Sequence, residues 1–270
     1  MRRIFRNIII TAVAILVLYV INWLYGTSLR DPRFFNGWVL CAGIMFLVLF
    51  NIRKKLPMLP LGRAKIWMQL HLYVGYFIVG AFLFHTNATL PQGWLDWALW
   101  SLFVIVALSG VVGTYLSKTT PAKLEQHTER VIFERIPVFR VGLAEEVEEL
   151  AIDSVNQAGS LTISNLYINT LHEFFRRPQN LWLHLTSSRR PLTRILGEID
   201  NLRQYLDDAG KDRLTKIKDL VKAKDNLDFH YAHQGALKLW LFVHIPATYG
   251  LIVLMIAHVA IVYAYSSGVP

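Results

Sequence analysis

Nine histidines occur in the chain, and four of them fall inside long uncharged stretches: His71 and His85 in one, His244 and His258 in another. An ionisable side chain at membrane depth is costly and is usually functional. Imidazole in that setting handles protons or binds a metal. Spacing separates the two. In each stretch the second histidine follows the first by 14 residues. On a helix, that many steps of about 100° bring the second ring within about 40° of the first, about 21 Å further along the axis. Each pair therefore shares one face at two heights. Two such helices running the same way set His71 level with His244, and His85 level with His258. Neutral imidazole suits iron, and two rings facing each other can take both axial positions of one haem iron. Two levels make two haems, with His71, His85, His244 and His258 as the metal ligands.

A local repeat surrounds these pairs. Lys65, Trp67, His71, Tyr76 and His85 share their spacing with Lys238, Trp240, His244, Tyr249 and His258, so both helices read K-x-W-x3-H-x4-Y-x8-H. Trp and Lys are common at membrane interfaces. That accounts for those two residues but not for the matched histidines. Gly75 and Gly80 lie between His71 and His85, where glycine either lets a flat group approach the backbone or serves close helix packing. Pro246 should kink the last helix just after His244. Arg63, Lys65 and Lys238 could pair with haem propionates by charge-assisted bonds. His230 and His233, three apart before the last stretch, are candidates for a quinone or proton site, or else ordinary interfacial polar residues. Asp225 and Asp228 beside them could relay protons. His127, His172 and His184 receive no role.

The elements that must position these groups follow from composition. The chain has 270 residues, 54% of them hydrophobic. Uncharged stretches run over Asn7–Leu29, Phe34–Ile52, Ile66–Leu95, Trp97–Ser117 and Leu239–Pro270. About 20 apolar residues in a helix cross a hydrocarbon core about 30 Å thick. The expected fold is an all-α membrane protein, with five transmembrane helices forming a haem-binding bundle. A mostly helical insertion separates helices four and five. The boundaries are 1–118 for the first four helices, 119–235 for the insertion and 236–270 for the fifth. Arg2, Arg3 and Arg6 precede the first stretch as in a signal peptide, but no small-residue cleavage site follows, so it is read as a helix.

The net charge of +9 does not indicate nucleic acid. Residues 118–237 hold 17 of the 28 bases and 17 of the 19 acids, and the excess comes from bases at helix ends, with Asp31 and Asp96 the only other acids. There it sets topology. Arg2, Arg3 and Arg6, with Arg53, Lys54, Lys55, Arg63 and Lys65, place the N-terminus and residues 119–235 in the cytoplasm. The C-terminus lies outside, where Arg30 and Arg33 are the only bases, and the membrane is a cell membrane of the bacterial inner type. Within the insertion, Leu143–Gln157, Leu192–Leu206 and Leu214–Leu227 have helical periodicity, and Asn180–Ser187 reads as a strand. No Gly-rich phosphate loop or dinucleotide fingerprint occurs. The one cysteine, Cys41, rules out an internal disulfide, a cysteine-held iron–sulfur cluster and covalent haem attachment.

Paired His-x13-His on two parallel helices resembles the dihaem core of cytochrome b and of ferric-reductase-like membrane domains. HLYVGYFIVGAFLFH, residues 71–85, is the most similar part. The resemblance covers helices three to five and implies two haem b groups held by His71, His85, His244 and His258. The Pro-Glu-Trp-Tyr quinol motif of the respiratory cytochrome b is missing, as is the flavin domain of ferric and NADPH oxidases. Five helices resemble the membrane anchor subunits of quinone-linked oxidoreductases, whose partner subunits carry the other cofactors. The expected function is transmembrane electron transfer between quinone and a partner such as a c-type cytochrome or an iron–sulfur protein. The alternatives are a stand-alone transmembrane reductase with an external acceptor, and a non-redox transporter using buried histidines.

Overall fold

The computed structural model describes residues 2–28, 31–55, 62–125, 131–158 and 161–266. Arg30 and His127 lie outside the described residues, as do the side chains of Arg2, Arg3, Arg53, Lys54 and Lys55. The helices are α1 Arg2–Thr27, α2 Arg33–Lys55, α3 Ala64–Thr86, α4 Trp94–Glu125, α5 Ile136–Ala158, α6 Leu161–Leu166, α7 His172–Arg176, α8 Leu181–Leu185, α9 Arg190–Leu202 and α10 Asp208–Ser266. A π-turn, Tyr167–Leu171, joins α6 to α7. Among the described residues there is no strand. Five helices are long and apolar enough to cross a membrane: α1, α2, α3, α4 and α10.

Contacts divide the chain into two units, Met1–Thr114 with Trp240–Pro270, and Tyr115–Leu239. The first unit has an outward face that water would not tolerate. Ile8, Ile10, Leu16, Phe242 and Val253 are all exposed, as side chains facing lipid would be. Its interior is small, formed by residues such as Leu18, Leu40, Ile78, Ala81, Phe103 and Leu251. Asn22 of α1 and Asn36 of α2 exchange amide hydrogen bonds of 3.1 and 2.6 Å, and Asn36 is fully buried. In hydrocarbon an amide must find such a partner.

Helix α2 sets the direction of its neighbours. Gly37 lies beside His85 and Phe50 beside His71, so α3 runs antiparallel to α2. Trp38 donates to the Tyr263 hydroxyl at 3.3 Å and Asn51 to that of Tyr249 at 3.1 Å, so α10 is antiparallel to α2 as well. Helices α3 and α10 are therefore parallel. Close backbone packing joins α3 to α1 and α2, but not to α10 along its length.

In the second unit α5, α6, α7, α9 and the charged part of α10 surround a core that includes Val147, Ile163, Phe175, Ile199 and Ile217. The expected strand over 180–187 is instead one helical turn. Asn180 is left-handed, at φ 56°, and Leu181–Leu185 winds directly after it. A short apolar run without β-branched residues has little reason to extend and no neighbouring strand to pair with. The helix expected over Leu214–Leu227 is part of α10, which begins at Asp208 and continues through Pro246 to Ser266. Asp207 caps it, its carboxylate accepting the Gly210 N–H at 2.8 Å. Helices α4 and α10 run unbroken through 118/119 and 235/236, and by contact the units divide at 114/115 and 239/240.

Candidate functional site

Two of the four histidines in the apolar helices are hydrogen-bonded through Nδ1, and a third has a carboxylate near it. His85, in the last turn of α3, has Nδ1 2.9 Å from the carbonyl oxygen of Arg33. A carbonyl only accepts, so Nδ1 carries the proton and Nε2 keeps its lone pair. His244 has Nδ1 2.6 Å from the Ser109 hydroxyl, which donates its own proton to the Val106 carbonyl at 2.8 Å. That direction fits an Nδ1–H tautomer, with Nε2 as the lone-pair nitrogen. His258 has Nδ1 3.7 Å from Asp96 Oδ1 in the first turn of α4, another acceptor. Metal-binding histidines commonly have this arrangement, with a carbonyl or carboxylate on the far nitrogen fixing tautomer and ring orientation.

The rings of His85 and His258 are neighbours, with centroids 6.4 Å apart and planes at 83°. A metal–imidazole bond is about 2 Å, so two imidazoles on opposite sides of one metal have ring centres about 6 Å apart. Both rings line a cavity of about 780 Å³, within the range of about 300–1,000 Å³ for ligand sites. Phe82, Phe103, Leu251 and Met255 supply apolar walls, and Arg33, Thr89 and Gln92 polar ones. Gly37 is what admits His85, since a Cβ there would come within 3.1 Å of the ring. Asp31 lines the same cavity; the Arg33 backbone N–H, with the guanidinium behind it, holds its carboxyl below the usual range.

His71 and His244 do not line this cavity. Each is supported by a neighbouring helix. Phe46 and Phe50 of α2 pack on Trp67 and His71 of α3, ring centroids 6.2 and 5.2 Å apart. Ser109 and Gly113 of α4 do the same for Trp240 and His244. Trp240 donates its indole N–H to the Ser109 carbonyl at 2.7 Å and stacks on His244 at 5.4 Å. A Cβ on Gly113 would run into the Trp240 ring. The tryptophan of the repeat thus braces the histidine one turn on, at least in α10. Ser109, Gly37 and Asp96 receive no role from sequence, and Gly113, like Gly110 and Gly250, reads there only as a glycine that either admits a flat group or serves helix packing. A small or polar residue on a neighbouring helix carries no signal until the helices are paired.

The other candidates fall elsewhere. Gly80 faces α1, where a Cβ would meet Ile15 at 3.3 Å, so it serves helix packing. Gly75 faces open space. Arg63 and Lys65 are exposed. Lys238 does not wait for a propionate: it pairs with Glu134 and stands 4.0 Å over the Phe133 ring. His230 and His233 are buried in the second unit, 3% exposed each. His233 lies on Phe229, rings 4.2 Å apart. Among the described residues no three His, Cys, Asp or Glu side chains gather as a protein-only metal site. A haem iron needs only two protein ligands, so this donor set suits that group rather than a bare ion. No family model, curated protein or solved structure matches the chain.

Proposed function

We propose that the chain is a dihaem b-type membrane subunit that carries electrons across the bilayer. His85 and His258 would hold one haem, and His71 and His244 the other. The observation that carries this is the His85–His258 pair: two imidazoles 6.4 Å apart at a cavity, each with Nδ1 turned to an acceptor. A proton relay does not call for that spacing, which matches the separation of two imidazoles that share one metal. Parallel α3 and α10, with the same 14-residue step in each, support a second pair one level away.

When bound, the haem supplies one-electron chemistry. The chain's own residues do the rest. The four imidazoles would hold the two irons, the Arg33 carbonyl, Ser109 and Asp96 stand beside His85, His244 and His258 respectively, and the apolar helices would exclude water. Arg33 is already engaged by Asp31, so its charge toward a propionate is offset. The charge pattern supports a cytoplasmic N-terminus and second unit, with the His85–His258 level toward the outside. Quinone on one side, and a redox partner such as a c-type cytochrome or an iron–sulfur protein on the other, would complete the path.

Purified protein tests this directly. Dithionite should raise the sharp alpha band of b-type haem, with two haems per chain by pyridine haemochrome. A colourless chain, expressed with haem supplied, would sink the reading in favour of a transporter. Co-purifying redox subunits separate a complex component from a stand-alone reductase.

A further inference from the structure

The cavity beside His85 and His258 has an unusual charge setting. The chain outside residues 118–237 contains two acids only, Asp31 and Asp96, and both line this cavity. They differ in one respect. Asp31 is bound by its own neighbour, receiving both the backbone N–H of Arg33 and its guanidinium, the latter at 3.0 Å. Asp96 faces His258 instead, at 3.7 Å from Nδ1. The acceptors on the other held histidines are neutral, a peptide carbonyl for His85 and a hydroxyl for His244.

We infer that Asp96 is a positioning residue that acts through His258 to lower the reduction potential of the His85–His258 centre relative to what a neutral partner would give. This rests on the haem reading. Asp96 is outside hydrogen-bond reach of the ring, but a carboxylate 3.7 Å away stabilises positive charge on the imidazole and on the metal it would bind. That favours the oxidised metal over the reduced one. The acid also complements the N-terminus of α4, but any exposed position in that turn would serve the dipole. The dipole alone does not call for a carboxylate beside an imidazole.

The test is a redox titration of the full-length protein followed by absorbance, with the two haems resolved. The species lost in His258→Ala identifies the relevant midpoint. Asp96→Asn keeps the size and an acceptor oxygen but removes the charge. At the ambient potential where this haem is half reduced in the parent, the variant should show a several-fold higher ratio of reduced to oxidised haem. The other haem should not move, and Asp96→Glu should restore the parental midpoint. Two haems retained with neither midpoint shifted would overturn the inference and leave the haem reading intact. Equal shifts of both midpoints, or loss of the haem in Asp96→Asn, would also overturn it, the latter by making Asp96 a structural residue. A parent protein without haem would overturn both readings at once.

Discussion

In the apolar unit the polar side chains come singly or in pairs: Asn22 with Asn36, His85 with a carbonyl, His244 with Ser109, His258 with Asp96. In the second unit they are pooled. Lys224 and Asp228 are 0% and 1% exposed and form an ion pair one turn apart on α10. Lys224 also donates to the Arg177 carbonyl at 3.1 Å and sits 4.0 Å over the Phe174 ring. Asp228 accepts the Gln179 N–H at 3.1 Å. His184 lies 3.7 Å from Asp225, and Gln234 bridges the Val131 carbonyl and His230. Burial pulls Lys224 down and pushes Asp228 up from their ordinary values, each opposed by its partner's charge. The pooled groups use one another up and fasten the 177–179 segment to α10. His85, His244 and His258 of the apolar unit each turn Nδ1 to a single neighbour. A pooled cluster holds a fold together, whereas under the proposed reading the dispersed imidazoles would receive a ligand.

That contrast breaks most readily at the histidines. His85→Ala and His258→Ala should each remove the same haem, leaving one per chain by haemochrome assay. His71→Ala and His244→Ala should each remove the other. The unfolding of the second unit should be unchanged in all four. If His71→Ala and His85→Ala deplete one spectroscopic species alike, the pairing across helices is wrong.

The reverse experiment comes next in size. Lys224→Met or Asp228→Leu leaves a buried charge without its counter-ion, a loss of about 3–5 kcal/mol. Both together should cost clearly less than either alone, because no charge remains stranded. Chemical denaturation in detergent, followed by far-UV circular dichroism, reads the stability while the haem bands serve as control. Haem loss at parental stability would show that the two kinds of cluster are not separate in function.

Why one region was more legible from sequence than the other follows from the same physics. Long uncharged stretches and a 14-residue histidine step are periodic along a single helix, so the five apolar helices, and the common face of His71 with His85 or His244 with His258, could be read from one dimension. The acceptors could not. Arg33, Ser109 and Asp96 belong to other helices, and nothing in their local sequence marks them as facing an imidazole. Asn22 and Asn36 are likewise 14 residues apart in sequence but meet only because α1 and α2 fold back on each other. In the second unit the error over 180–187 arose where a short apolar run lacked the length to show a period. The burial of His230 and His233 is not visible in sequence either, because the start of the apolar stretch carries no sign of the packing of α10 against Phe133 and Val131.

Two glycines sharpen the comparison within the apolar unit. Gly113→Ala would drive a methyl into the Trp240 ring, which is fixed by its bond to the Ser109 carbonyl. Overpacking of this kind costs about 1–3 kcal/mol, and displacement of Trp240 should loosen His244. The haem assigned to His71 and His244 should therefore be lost more readily on heating, with the other unaffected. Gly37→Ala meets only the Cε1 edge of His85 at 3.1 Å. It should shift the spectrum of the His85–His258 haem with a smaller loss of occupancy. Equal effects of both substitutions on both haems would mean that the two levels are not independently braced.

The smallest effect is a pH dependence confined to the second unit. Burial, with Asp228 nearby, raises the Asp225 carboxyl from 3.8 to about 6, against the opposing charges of Lys224 and Arg189. A raised carboxyl means that the folded chain binds the proton more tightly than the unfolded chain. This contribution to stability is therefore complete below about pH 4 and is lost as pH rises through about 6. Two units correspond to a ceiling of about 3 kcal/mol. The side chain is 16% exposed, and solvent screening reduces the expected loss to about 1 kcal/mol. Denaturation midpoints measured across that window should fall with rising pH in the parent. Asp225→Asn cannot release a proton, so its midpoints should fall less, and the difference between the two curves isolates this residue from Asp228, whose carboxyl is shifted in the same direction. Parallel curves would mean that His184 and Lys224 already neutralise Asp225 in the folded chain.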